Sequence, residues 1–323
     1  MTFAFIYGNI IALVLKKVKW KKGNTKMKFE GIMPALLTPL NSDNKTVNES
    51  ATRQLIDLLM NQGANGFYIL GGTGEGLVMS AEDRKEMCEI VVDHVKGRKP
   101  VINHIAAVNM NEAVDLAKHA EKTGSDAIAG IPPVFFAYSE DDLYNYYKKL
   151  ANSVNIPLII YYHPGAQKKM SAELIARIFE IDNVTGVKWS STDFFELMKL
   201  KDITNGEMNI INGPDELLIS GLSAGADAGI GSTYNVMLPD YVKLYDFFKK
   251  GDIPSAQQTQ YKVNRVINVI CKYGVIPAVK QMAEFMGINA GNATYPMTHY
   301  TDEQKEQFRK ELKEVGWDCG IKI

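Results

Sequence analysis

A single lysine, Lys188, stands inside "VTGVKWS", a run short and apolar enough to read as one buried strand. Tyr161 closes another such run, "LIIYYHP", and a glycine-rich turn, "GGTGEG" from Gly71 to Gly76, follows a third, "GFYILGG". An amine held out of water is a nucleophile for a carbonyl, because desolvation disfavours the ammonium form. A phenol can pass a proton to and from an oxygen. A glycine-rich turn lets backbone N–H groups face an anion, with the Thr73 hydroxyl as a further donor. Together these groups describe a site for a 2-oxo acid, its carboxylate in the turn and its keto carbon attacked by the lysine. The imine is an electron sink, so a carbon–carbon bond beta to it can be broken or made through an enamine, without a metal.

Each residue also has a plainer role. A lysine in a short strand commonly guards a sheet edge or reaches to the rim, and Tyr161 could be a wall aromatic. The turn alone is a weak signal, matching neither GxGxxG nor GxxxxGK[ST]. The architecture weighs between these readings, since a closed barrel has no edge to guard and active residues sit at the C-terminal ends of its strands.

From Gly31 onward, short apolar runs alternate with amphipathic ones, joined at Gly, Pro, Asn or Asp. The strand candidates are "GIMPALLTP", "GFYILGG", "VINHIAA", "AIAGIPP", "LIIYYHP", "VTGVKWS", "MNIINGP" and "DAGIGST". Helices are expected at Asn48–Asn61, Ser80–Val95, Asn111–Lys122, Ser139–Ser153, Ser171–Glu180, Asp193–Lys201 and Leu217–Ala224, several of them opened by a capping residue. Strand–helix alternation of this length predicts a (β/α)8 TIM barrel over residues 27–235. Residues 236–323 then hold the last barrel helix and a C-terminal helical extension, with Ser255–Tyr273, Pro277–Met286 and Thr301–Val315 as its helices. No Pro/Ser-rich linker divides the two, so they read as one structural unit.

The 36 basic and 37 acidic side chains leave a net charge of -1, which excludes the electrostatic footprint of a nucleic-acid binder. Cys88, Cys271 and Cys319 are too few and too scattered for a disulfide framework or Cys-x-x-Cys metal chemistry, and a cytoplasmic setting is expected. His94, His104, His119 and His299 show no metal-ligand spacing, and His104 reads as an interior histidine with its hydrogen bonds satisfied. Neither metal nor cofactor is expected. The aromatic run "FFAYSEDDLYNYYKKL" reads as core and subunit contact rather than a ligand face.

The first 26 residues differ from the rest. An apolar run from Phe3 to Leu15 is followed by five lysines between Lys16 and Lys22. The run falls short of the roughly 20 residues that span a bilayer, and its charges follow it rather than precede it as in a signal peptide. A surface anchor on anionic lipid is one reading. The preferred one is a leader that is disordered or a non-native start, with Met27 opening the folded domain and no stable membrane insertion.

"GGTGEG", "YYHP", "GVKWSSTD", "NGPDELL" and "GADAGIGSTYNVM", in this order and spacing, resemble the N-acetylneuraminate lyase and dihydrodipicolinate synthase family of barrel aldolases. The likeness covers Phe29 to about Lys313, and its last two motifs are nearest the lyase branch. It implies Lys188 as the Schiff-base lysine, Tyr161 as the catalytic tyrosine, and Thr73 with the backbone around Gly72 as the pyruvate-carboxylate site. Ser190, Gly213, Asp215, Glu216, Gly231 and Ser232 match positions that bind the polyhydroxy chain of sialic acid. Asp215 and Glu216 are expected to hold vicinal hydroxyls as paired acceptors, although both could simply open a helix at its N-terminal dipole. The resemblance also implies a homotetramer acting on small molecules, sialic acid and pyruvate.

Two departures stand out. Gly72 occupies a position where the family usually has Ser or Thr, and Phe135 one where many relatives lend a tyrosine to a neighbouring subunit. "YYHPGAQKKM" lacks the arginine of the dihydrodipicolinate branch, while His163 and Gln167 could face the sugar or shape the loop. Three functions follow: cleavage of N-acetylneuraminate to pyruvate and N-acetylmannosamine, the same chemistry on another 2-oxo-3-deoxy sugar acid, or a ligand-binding protein without turnover.

Overall fold

Eight short strands close a parallel barrel: β1 (Gly31–Pro34), β2 (Phe67–Ile69), β3 (Val101–His104), β4 (Ala127–Gly130), β5 (Leu158–Tyr162), β6 (Val184–Trp189), β7 (Asn209–Asn212) and β8 (Ala228–Gly231). This computed structural model describes residues 28–134, 136–166 and 169–318. The leader expected over residues 1–26, Phe135, Gln167 and Cys319 lie outside the described residues. From β2 to β8 each strand pairs with the next in sequence, and β1 pairs with β8. The seam between β1 and β2 is bridged at Ala35 and Tyr68, where Leu36 N–H donates to Tyr68 O at 2.8 Å. The expected (β/α)8 TIM barrel is therefore the observed one.

The strands are legible as apolar runs because both faces are covered. One face meets the helices. The other fills the barrel, where Met33, Tyr68, Ile102, Ile159, Ile211 and Ile230 pack with small Ala127, Ala129 and Ala228.

The helices between strands are α1 (Glu49–Asn61), α2 (Ala81–Val95), α3 (Met110–Thr123), α4 (Glu140–Ala151), α5 (Ala172–Phe179), α6 (Phe194–Ile203), α7 (Leu218–Ser223) and α8 (Tyr234–Lys249). Their starts are set by side-chain caps, each worth about 1 kcal/mol. Asn48 accepts from Ala51 N–H at 3.1 Å, Ser80 from Asp83 N–H at 3.1 Å and Ser171 from Leu174 N–H at 3.2 Å. Ser139 and Asp142 cap reciprocally.

The eighth helix begins at Tyr234, two residues before the expected division, and departs from helical geometry at Met237 (φ −139°). Pro239 accounts for this, since it lacks an N–H and its ring crowds the carbonyl of Asn235. Asn235, fully buried, ties this helix to the end of β1 by accepting from Leu37 N–H at 3.1 Å and donating to Ala35 O at 2.7 Å.

The extension holds α9 (Ile253–Tyr273), α10 (Val275–Phe285) and α11 (Asp302–Glu314). Near its end, Trp317 Nε1–H donates to Val236 O at 3.1 Å. Among the described residues, no helix is long and apolar enough to cross a membrane.

Candidate active site

Lys188 is the fifth residue of β6 and stands beside Tyr161 of β5 in the strand register. A register shift between Leu158 and Ile159 brings these two residues level. Both point into the barrel at its C-terminal end. Lys188 is only 6% exposed, with Nζ 4.5 Å from the ring centroids of both Tyr68 and Tyr161. Among the described residues no ion pair holds its nitrogen, so the amine can reach a carbonyl carbon in the cleft.

The glycine-rich turn crosses the mouth above β2. Its Thr73 hydroxyl shares a hydrogen bond of 2.7 Å with the Ser232 hydroxyl, joining the loops after β2 and β8. The Thr38 hydroxyl donates to Gly74 O at 2.7 Å from the loop after β1. The Lys188 amine and the Thr73 and Ser232 hydroxyls line one cleft of about 470 Å³, in the range of small-molecule sites.

Nine of the ten residues singled out from the sequence line this cleft: Gly72, Thr73, Tyr161, Lys188, Ser190, Gly213, Glu216, Gly231 and Ser232. Asp215 is the tenth, and the structure places it differently. It lies 7% exposed beneath the wall, where Thr233 N–H and the Thr233 hydroxyl donate to Oδ2 at 2.8 and 2.7 Å. A β-carbon at Gly231 would collide with Asp215 Oδ1, and one at Gly213 with the Ser190 hydroxyl. These two glycines therefore let functional side chains approach the backbone closely. The expected pair of acceptors is thus divided, with Glu216 exposed on the cleft and Asp215 bracing the loop after β8.

Burial pushes the Asp215 carboxyl up from 3.8 to about 6, although both Thr233 bonds favour its ionised form. A carboxyl that holds its proton more tightly folded than unfolded contributes stability that declines as pH rises through that window. Wild-type stability minus that of Asp215→Asn should therefore fall by about 2 kcal/mol from roughly pH 4 to pH 7. Urea unfolding across this range checks it, and parallel curves for the two proteins would contradict it.

Residues 28–315 match the model described as "Dihydrodipicolinate synthetase family". The chain belongs to that family. It is 31% identical over 289 residues to the N-acetylneuraminate lyase of Rhizobium meliloti, covering 90% of this chain and 96% of that protein. It is 32% identical over 262 residues to the N-acetylneuraminate lyase of Escherichia coli, covering 80% of this chain and 88% of that one. The solved N-acetylneuraminate lyase of Proteus mirabilis superposes with a TM-score of 0.86 at 30% identity, covering 90% of this chain and 99% of that one.

Other residues of this family member share the cleft: His163, Ser191, Thr192, Pro214, Ile230 and Ile276. Ser191 and Thr192 directly follow the strand that carries Lys188, so the strand-end rule could have found them. Ile276 comes from α10, and no local signal points to it. His104 is interior as expected, but only half satisfied. Its Nδ1 lies 3.0 Å from Leu70 O, which can only accept, so Nδ1 carries the proton. Nε2 has no partner among the described residues, and burial pulls the imidazole down to about 3, so it is neutral. Among the described residues no cluster of three or more His, Cys, Asp or Glu could hold a metal.

Proposed function

We propose that this protein is a class I aldolase that reversibly cleaves N-acetylneuraminate to pyruvate and N-acetylmannosamine through an imine on Lys188. The observation that supports this most is the convergence of the Lys188 amine, Tyr161 and the Thr73–Ser232 hydroxyl pair on one cleft. The relatives named N-acetylneuraminate lyase support the substrate.

In this reading the amine adds to the C2 carbonyl of the open-chain sugar acid and water leaves, forming the imine. The Tyr161 hydroxyl relays the proton of the C4 hydroxyl to the substrate carboxylate while the C3–C4 bond breaks. The bonding electrons pass into the imine as an enamine and N-acetylmannosamine departs. Protonation at C3 and hydrolysis then release pyruvate and free the amine. Thr73 and the backbone around Gly72 hold the carboxylate, while Ser190, Glu216, Gly231 and Ser232 face the hydroxyls.

A homotetramer and a cytoplasmic setting belong to the same reading. Exposed Leu77, Val78, Val108 and Phe136 on the rim after β2, β3 and β4 support association, and the unpaired Cys88 and Cys271 support a reducing compartment.

Pyruvate release from N-acetylneuraminate, beside a panel of other 2-oxo-3-deoxy sugar acids, tests the substrate. Turnover on the panel with none on N-acetylneuraminate would overturn it. A second check concerns Gly72, where an added β-carbon meets nothing within 4 Å. Gly72→Ser should place a donor beside the carboxylate and lower the half-saturating pyruvate concentration about fivefold, for roughly 1 kcal/mol. Pyruvate inhibition of cleavage measures that shift.

A further inference from the structure

The turn that faces the substrate carboxylate is braced from behind by the C-terminal extension. Glu75, two residues after Thr73, has φ +57°, and Leu70, where the chain leaves β2, has φ +60°. Side chains rarely occupy this left-handed region, and such conformations persist only where the surroundings over-determine them. Around Glu75 they do. Its side chain does not line the cleft, and its Oε1 stands 2.6 Å from Lys280 Nζ, both side chains being 1% exposed. Thr294 N–H donates to Glu75 Oε2 at 2.6 Å, and Lys280 Nζ donates to Asn292 O at 3.0 Å.

Lys280 lies on α10, about one turn after Ile276, which lines the cleft itself. One helix thus supplies both a piece of the cleft wall and the cation behind the turn. A buried ion pair is a poor source of stability compared with apolar residues of the same volume, but it fixes geometry, because each partner has few places to go. Here it fixes the backbone that carries Thr73.

We propose that Glu75 and Lys280 are positioning residues for the reaction: their ion pair holds the Gly71–Gly76 turn in the shape that aims Thr73 and its neighbouring N–H groups at the substrate carboxylate. This rests on the aldolase reading above. Neither residue touches substrate. Losing the pair relaxes the left-handed turn and weakens the grip on the carboxylate, while Lys188 and Tyr161, carried by β6 and β5, stay in place.

The test is borohydride trapping over a range of pyruvate concentrations, with thermal melts, for wild type, Glu75→Gln and Glu75→Gln/Lys280→Met. The double variant removes both charges, so neither is left buried and unpaired. Both variants should need about tenfold more pyruvate for half-maximal trapping, the order of one lost charge-assisted contact. At saturating pyruvate they should trap nearly as well as wild type, and the double variant should melt close to it. Lys280→Arg, which keeps the cation, should restore part of the affinity. An unchanged half-saturation with a lowered melting temperature would overturn the positioning role in favour of a structural one, as would failure of both variants to fold. A wild type that pyruvate and borohydride leave unmodified would overturn the aldolase reading and this inference with it, so the two failures are distinct.

Discussion

Lys188→Met should lower turnover by about 10⁴-fold or more while the barrel stays folded. Methionine keeps much of the lysine stem's volume and packs between the Tyr68 and Tyr161 rings that now flank the amine. It also removes a charge-bearing group from a site only 6% exposed, so a melting temperature at or above that of wild type is expected. What disappears is the nucleophile, and without an imine there is no electron sink for the breaking bond. Steady-state pyruvate release and a thermal melt check both halves. A variant that keeps a tenth of wild-type activity would show that the lysine is only part of the barrel wall.

Tyr161→Phe should have the second largest effect, lowering kcat by roughly 10²–10⁴ with a much smaller change in KM. The ring remains to pack against Tyr68, His104 and His163, its edge-on neighbours at 6.1, 5.6 and 6.2 Å, so the fold should be preserved. Because the hydroxyl is assigned to proton transfer at the sugar, pyruvate should still form a trappable imine in this variant. Turnover lost with trapping retained supports that division of labour. Loss of both would mean that Tyr161 acts earlier, in forming the imine.

Much of this was legible in the sequence because the relevant signals are local. Fully covered parallel strands read as apolar runs, and Asn48, Ser80, Ser139 and Ser171 mark helix starts because a side-chain oxygen must meet the first free N–H groups. Lys188 stood out as the one charge in its strand. The illegible parts depend on direction or distance. Asp215 and Glu216 look alike as adjacent carboxylates, but they open a 3₁₀ turn whose successive side chains diverge by about 120°. One therefore faces Thr233 and the other the cleft. Gln260 and Asn264 of α9 hold that turn by donating to Asp215 O at 3.1 Å and Glu216 O at 3.0 Å, a constraint that comes from about 45 residues away.

The same reason hides the contribution of the extension. Ile276 and Lys280 sit in an ordinary amphipathic helix pattern, and only the closed barrel brings that helix against the turn after β2. Sequence reading joins the appendage to the barrel as one unit but does not bring it to the site. In the folded protein the appendage completes the cleft.

The central claim is that Lys188 forms a covalent imine. Its most direct test is to mix the full-length protein with pyruvate, reduce with borohydride and locate the modification by peptide mass spectrometry. The predicted result is one adduct per chain, on the peptide that contains Lys188, with turnover lost in step. Protein that remains unmodified and active after this treatment, or an adduct on a different lysine, would contradict it.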